Sequence, residues 1–246
     1  MNSITAVSYI NTYPFIYGLE KSGILPLSEF ELNKVYPSLC AKAFIQKSSD
    51  VVLMPSGTIE NFNDSIIIKG YCIGAVNEVK SVLLLSNCPI DKVDKVLLDY
   101  QSTTSVKLLK ILFHHHWEKN VHYISSSEGY ENNINGTTAG LIIGDRAMKL
   151  SNQFPYVYDL AAEWLSFTQL PFVFAYWTKT KNISEKWLSL FNQALNWGLI
   201  HKLECLNYFS CNDKNLLAYL DQNISYDFDK YKIEGLKLFY KLSKEI

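Results

Sequence analysis

Short apolar runs rich in β-branched residues alternate with helix-patterned stretches along nearly the whole chain, and this alternation constrains the fold more than any other feature. Strand-like runs fall at 3–8, 28–33, 50–54, 65–68, 72–76, 79–86, 94–99, 121–124, 139–143, 156–159 and 172–178. Helix-like stretches fall at 12–21, 36–47, 56–61, 102–117, 127–134, 144–151, 160–167, 184–202, 212–222 and 226–244. Such alternation predicts an α/β fold with mainly parallel sheets. The last 65 residues are helical by pattern, with Trp187, Leu188, Phe191, Leu195 and Leu199 recurring at a spacing of three to four residues. No internal repeat or low-complexity segment interrupts the pattern.

Two strand-like runs differ from the rest, Ser81 to Ser86 and Pro171 to Trp177. The stretch between them is a complete α/β unit by pattern. If both runs cross between lobes, residues 1–86 plus 177–246 form a discontinuous first lobe and 87–176 the second. A ligand cleft is then expected between the lobes, a common place for small-molecule sites. A single continuous sheet is the alternative. At 246 residues the chain is long enough for either arrangement.

Three stretches place a strand end directly before a helix start, where free N–H groups and the helix dipole favour an anion. The first is Ser8-Tyr9-Ile10-Asn11-Thr12-Tyr13-Pro14, with Asn11 and Thr12 as N-cap candidates, Pro14 in the first turn, and Gly18 and Gly23 as stops. The second is Asp50 to Gly57, which brings Ser56 to a helix start. The third is Val96-Leu97-Leu98-Asp99 followed by Tyr100-Gln101-Ser102-Thr103-Thr104-Ser105. Hydroxyls at a helix start cap it and also present donors to a carboxylate. Three such starts facing one cleft would suit a small molecule with more than one carboxylate.

Charge and cysteine content exclude several classes. The net charge of −1 gives no basis for nucleic acid or an anionic membrane as partner. Residues 1–20 lack a basic start, a continuous apolar core and a small-residue cleavage site, and no apolar run approaches a membrane span, so a cytoplasmic location is expected. Cys40, Cys72, Cys88, Cys205 and Cys211 show no metal-type spacing and are expected as free thiols. His114, His115 and His116 point in different directions around a helix, which disfavours a metal site.

The motifs S-Y-I-N-T-Y-P-F (8–15), D-V-V-L-M-P-S (50–56), G-A-V-N-E-V-K-S-V-L-L-L-S (74–86), V-L-L-D-Y-Q-S-T-T-S (96–105), G-L-I-I-G-D-R-A (140–147), Y-D-L-A-A-E-W (158–164) and L-P-F-V-F-A-Y-W (170–177), in that order, resemble those of chorismate dehydratase of the futalosine menaquinone pathway. The resemblance implies a periplasmic-binding-protein type II-like fold adapted to cytoplasmic catalysis, without a cofactor or metal. A sibling of the same fold and pathway, 1,4-dihydroxy-6-naphthoate synthase, typically opens with a Ser-Pro-Cys-Pro-Asn-Asp type motif that Ser8-Tyr9-Ile10-Asn11 does not match. A non-catalytic cytoplasmic receptor for a small carboxylate is the rival from another class, and fold alone does not separate it from an enzyme.

The implied reaction removes water from chorismate, a small dicarboxylate, to give 3-[(1-carboxyvinyl)oxy]benzoate. Asn11 is then expected near the reacting carbons or the departing hydroxyl, and Ser81 as donor to that hydroxyl or a carboxylate. Ser56, Ser102, Thr103, Thr104 and Ser105 are expected to bind carboxylates from opposite lobes, with Tyr9 against the ring. Asp145 is either a helix cap or a site residue; the proton goes to it, to water or to the substrate's own carboxylate. Tyr13 stands where the family usually has a basic residue, so Lys80 or Arg146 would have to compensate. Arg146, the single arginine, is otherwise a surface residue. Glu163 and Trp164 are expected to pack or to line the cleft.

Overall fold

The structure, a computed structural model, describes residues 1–211, 213 and 215–246. Residues 212 and 214, within the helix expected at 212–222, lie outside the described residues. Along the chain, β1 (Asn2–Val7) is followed by α1 (Tyr13–Lys21), β2 (Phe30–Val35), α2 (Pro37–Ile45), β3 (Val51–Pro55) and β4 (Ile67–Ala75). Then come β5 (Val82–Ser86), β6 (Lys95–Leu98), α3 (Thr103–Ile111), β7 (His122–Ser125), β8 (Thr138–Ile143), α4 (Asp145–Leu150), β9 (Tyr156–Asp159) and α5 (Leu160–Thr168). The chain continues with β10 (Phe172–Lys179), α6 (Glu185–Ile200), α7 (Lys202–Tyr208), α8 (Asn215–Ala218), β11 (Ser225–Asp227) and α9 (Lys230–Leu242).

Two compact units divide these elements. The first comprises Met1–Pro55, Asn63–Gly74 and Ala175–Asp229; the second comprises Ser56–Phe62, Ala75–Phe174 and Lys230–Ile246. The sequence division at 86/87 and 176/177 drew the border differently, because β5 forms part of the second unit's sheet and α9 packs there as well. Trp164 and Phe172 meet Phe239 of α9 edge-on, an aromatic contact between residues 67 or more apart in sequence that no local pattern reveals.

In the first unit a six-stranded sheet runs β11-β4-β10-β3-β1-β2. β1 pairs in parallel with β2 and β3, whereas β10 runs antiparallel to β3, from Ala175 opposite Pro55 to Lys179 opposite Val51. All five residues of β3 are buried, as expected of an apolar strand covered on both faces. α1 lies against α6 closely enough that each needs a glycine: a Cβ on Gly18 would come within 2.0 Å of the Ala194 carbonyl oxygen. Gly18 is therefore a packing glycine inside the helix, not the stop that its composition suggested. Gly23, at φ +68 just past the helix end, fills the stop role.

The second unit's five-stranded sheet runs β7-β6-β8-β5-β9. β6 is parallel to β7 and β8, while β5 is antiparallel to both β8 and β9. Both sheets are thus mixed, not mainly parallel: the two apolar runs that stood out in the sequence, β5 and β10, are antiparallel to their neighbours β8, β9 and β3, and β11 is antiparallel to β4. A run of buried residues encodes burial but not direction, so their sense was not visible. A core of Leu83, Leu85, Leu97, Tyr130, Ile134, Ile142 and Ala147 packs one region of this sheet. The helices expected at 56–61 and 127–134 shrink to 3-10 turns at Ser56–Thr58 and Tyr130–Asn133, and the helix expected from 226 begins only after β11.

Candidate functional site

Topology brings several chemistry-bearing residues to one edge of the second unit's sheet. β6 and β8 run together, and β9 runs with them because both it and β8 oppose β5. The carboxyl ends at Leu98, Ile143 and Asp159 and the beginning of β5 at Val82 therefore share an edge. The carboxyl edge of such a sheet is where α/β proteins characteristically hold ligands.

After β6, Ser102 takes the N-cap position of α3. Its Oγ accepts the Ser105 N–H at 3.1 Å and donates to the Ser105 Oγ at 3.0 Å. Thr104 and Ser105 are buried with Ser102, and only Thr103 of the four is exposed. The 56–58 turn covers this helix start. The Gly57 N–H donates to Thr104 Oγ1 at 2.8 Å, and a Cβ on Gly57 would stand 2.8 Å from the Thr104 backbone, so the approach requires glycine. Ser56 thus joins the Ser102–Ser105 group in one unit, a correction to its expected place in the other lobe. It is fully buried, and its Oγ donates to the Val173 carbonyl at 2.6 Å. In the same turn Thr58 Oγ1 is buried with no hydrogen-bond partner among the described residues.

After β8 the chain turns at Gly144, whose φ of 66° and ψ of −150° lie in a region that only glycine occupies readily. Gly144 is the N-cap of α4, so Asp145 occupies the first helical position and is not the cap residue. The Gly144 N–H donates to the Ser81 carbonyl at 2.7 Å, which places Ser81 beside Asp145 across the β5–β8 pair. Ser81 is buried and Asp145 half-buried.

Two further carboxylates hold this edge. Asp99 Oδ1 accepts the Gln101 N–H at 2.8 Å, while Oδ2 accepts from Tyr130 Oη at 2.8 Å and Arg146 Nη2 at 2.6 Å. Arg146 also reaches Glu131, and its guanidinium lies over the Tyr100 and Tyr130 rings. The sequence alternative of a surface arginine is therefore corrected: Arg146 cross-links the loops after β6 and β8. Burial pushes the Asp99 carboxyl above the usual carboxylate range, against the pull of Gln101, Tyr130 and Arg146. Asp159 distributes four backbone N–H groups between its oxygens, Ala161 and Ala162 on Oδ1 and Val79 and Lys80 on Oδ2. Burial raises its carboxyl too, with the four N–H groups opposing.

Neither Asp99 nor Asp159 was singled out from the sequence as a site residue. The available signal was local: Asp99 follows β6 and Asp159 ends β9, and each accepts from the N–H two residues on, as aspartates in turns and caps do. The partners 47 and 79 residues away carried no signal.

The first unit holds Tyr9 and Asn11 where β1 ends. Ser8 continues the ladder through its N–H to the Val35 carbonyl at 2.9 Å, Tyr9 is extended, and Ile10–Thr12 forms a 3-10 turn leading into α1. The capping expectation is not met. Neither Asn11 nor Thr12 caps the helix through its side chain; instead Thr12 Oγ1 donates to Asn11 Oδ1 at 3.1 Å. A 3-10 turn ahead of α1 supplies the preceding carbonyls, so no side-chain acceptor is needed there. The Asn11 carbonyl accepts from Tyr226 Oη at 2.9 Å, and Tyr13 packs its ring 4.3 Å from that of Phe209.

Lys80 pairs with Glu78 at 3.0 Å in an exposed position. Since Arg146 is held by Asp99 and Glu131, both candidates for replacing the cation absent at Tyr13 already have acidic partners. Glu163 accepts from Trp117 Nε1 at 3.3 Å and lies 3.1 Å from His116 Nε2, and Trp164 is fully buried. Among the described residues no three His, Cys, Asp or Glu side chains gather as metal ligands, and the five cysteines are free thiols. No helix among them is long and apolar enough to cross a membrane.

A family model described as menaquinone biosynthesis matches residues 2–245. Among solved structures, protein AF1704 from Archaeoglobus fulgidus is similar with a TM-score of 0.77 and 12% identity, over 99% of this chain and 97% of that one. An ABC transporter protein from Parabacteroides distasonis gives 0.66 and 14% over 100% and 92%. The alkanesulfonate-binding protein SsuA from Xanthomonas axonopodis pv. citri, bound to MOPS, gives 0.62 and 11% over 98% and 92%. At such identities the likeness establishes the fold, which is periplasmic-binding-protein-like.

Proposed function

Because the chain belongs to the menaquinone biosynthesis family, we propose that it is the chorismate dehydratase of that route, a hydro-lyase acting in the cytoplasm without a cofactor. Loss of the ring hydroxyl and a ring hydrogen from chorismate leaves a benzene ring. The C–O bond breaks with departure of hydroxide, the C–H electron pair completes the aromatic sextet, and the proton joins hydroxide as water. Aromaticity drives the step, so the protein must hold a dianion, assist the leaving group and receive a proton.

The observation that supports the reading is the shared edge of the second unit's sheet, to which β6 delivers the Ser102–Ser105 helix start, β8 delivers Asp145, and from which β5 departs after Ser81. Hydroxyl and N–H donors at a helix start suit a carboxylate, and fixed donors aimed at developing charge are a large catalytic contribution. Ser81 is assigned to the departing hydroxyl and Asp145 to the ring proton. Ser56, Ser102, Thr103, Thr104 and Ser105 frame the carboxylate. Asn11 and Tyr9 stand at the end of β1 in the first unit, and the resemblance implies a place near the reacting carbons or the departing hydroxyl for Asn11 and near the ring for Tyr9.

The test mixes purified protein with chorismate in the absence of added metal or cofactor, followed by ultraviolet absorbance and mass spectrometry. A product lighter by one water, lost in Asn11→Ala and Ser81→Ala variants that still fold, is the expected result. Chorismate left intact while it raises the melting temperature would replace the enzyme with a carboxylate receptor. Inert chorismate with no thermal shift would point to the sibling enzyme of the pathway.

A further inference from the structure

We infer that Asp159 is a positioning residue for Ser81, fixing the approach of the chain to β5 through two backbone hydrogen bonds while it caps α5 with its other oxygen. The inference rests on the dehydratase reading and assigns a task to the Y-D-L-A-A-E-W motif, which that reading left without one. Asp159 ends β9 and takes the N-cap position of α5, where Oδ1 accepts from Ala161 at 3.0 Å and Ala162 at 3.2 Å. Capping needs only that oxygen. Oδ2 instead reaches 79 and 80 residues back, to the Lys80 N–H at 2.6 Å and the Val79 N–H at 2.9 Å.

Those two N–H groups belong to a segment that needs outside support. Lys80 stands at φ +59, a left-handed conformation that a lysine adopts at a cost. The next residue is Ser81, whose carbonyl is held from the other side by the Gly144 N–H at 2.7 Å. Ser81 is thus clamped at both flanks, by the Asp159 carboxylate before it and by Gly144, the N-cap of α4, after it. Release of the first clamp lets Lys80 relax toward negative φ, and the peptide leading into Ser81 rotates with it. The Ser81 hydroxyl then leaves its direction even though no residue touching substrate has changed.

The design separates into two variants. Asp159→Ser keeps an oxygen suited to the N-cap but is too short to hold Val79 and Lys80 as well. Adding Lys80→Gly removes the left-handed penalty, so the segment holds its conformation with fewer bonds. In the chorismate assay Asp159→Ser is expected to lower kcat by about 10²-fold while KM changes little, since displacement of a catalytic group by an ångström has that effect. The double variant is expected to recover at least about tenfold of this loss, a rescue that a purely structural cap would not produce. Wild-type turnover with an unchanged kcat in Asp159→Ser, or a loss that Lys80→Gly leaves untouched, would overturn the inference and leave the dehydratase standing. An inactive wild type would remove both.

Discussion

Gly198→Ala tests how packing in the first unit supports the Asn11 turn. A Cβ at Gly198 would lie 1.9 Å from the Pro14 carbonyl oxygen and 2.8 Å from the Gly18 nitrogen. The first distance is short of ordinary contact by about 1.5 Å, and the obstacle is backbone, which cannot swing aside as a flexible side chain would. α1 and α6 must therefore separate. Overpacking of this kind costs about 3 kcal/mol at the upper end of its usual range, and alanine regains about 1 kcal/mol of helix propensity. The expected net loss is about 2 kcal/mol, or a fall in Tm of about 4–8 °C for a chain of this size. Urea denaturation followed by circular dichroism measures it, with Gln193→Ala, an exposed position on the same helix, as control. Pro14 lies three residues beyond Asn11, so the displaced helix carries the Asn11 turn with it, and on the proposed function the turnover of chorismate falls as well. A variant as stable as the protein itself would refute the reasoning, because helix propensity would then have outweighed a clash that the packing cannot relieve.

Arg146→Met leaves the fully enclosed Asp99 carboxylate without its cation. Because the Arg146 side chain is itself 29% exposed, the expected loss at pH 7 is about 2 kcal/mol, below that of a fully buried pair. The folded Asp99 already binds its proton more tightly than the unfolded chain does, so its contribution is favourable below the ordinary carboxylate range and lost as pH rises through the raised folded value. Removing Arg146 extends that decline upward, and denaturation midpoints between pH 4 and 8 should diverge from those of the protein itself as pH increases; parallel curves would refute it. Asp50 is the opposite case: burial raises its carboxyl, but the Ser3 N–H and hydroxyl and the Lys181 ammonium together bring it below the ordinary value. Its stabilisation is present above that value and lost as pH falls through the folded one, so Asp50→Asn should cost about 1 kcal/mol at pH 7 and nothing near pH 2. A gap that persists in acid would refute this.

Element type was legible in the sequence wherever burial and period coincided. β9 was placed at its observed bounds, and α1, α4 and α5 lie within a residue of expectation, because each is bracketed by a turn, a cap or a proline with a local cause. Strand direction was not legible, since β5 and β10 are apolar over most of their length and nothing in such a run distinguishes parallel from antiparallel neighbours. The helix expected at 226–244 starts only at Lys230 for a related reason: Tyr226 in β11 packs against Phe15 and Phe228 just after it against Tyr176, and those partners are distant in sequence. At the candidate site the hydroxyl-rich start of α3 was visible because capping is local. The Asp99–Arg146 pair and the reach of Asp159 to Lys80 depend on which strands lie side by side, and a single sequence does not state that.

The disposition of charge at the second unit's edge bears on what kind of recognition is available there. Arg146 was one of two residues offered to compensate for the cation absent at Tyr13, yet it is bound between Asp99 and Glu131 and lies over two tyrosine rings. Its work is to join the loop after β6 to the helix after β8, which fixes Gln101 and the α3 start relative to Asp145. Lys80 contributes through its backbone N–H to Asp159, while its ammonium meets Glu78. Two residues that the sequence offered as ligand cations are therefore parts of the frame. A carboxylate held at this edge would be met by the fixed N–H and O–H groups of a helix start. Such donors attract less at long range than a free lysine but are directional, and a frame that cannot reorient is what their strength depends on. The aspartates that look wasteful beside an anion site are, on this argument, the reason that its neutral donors are held in place.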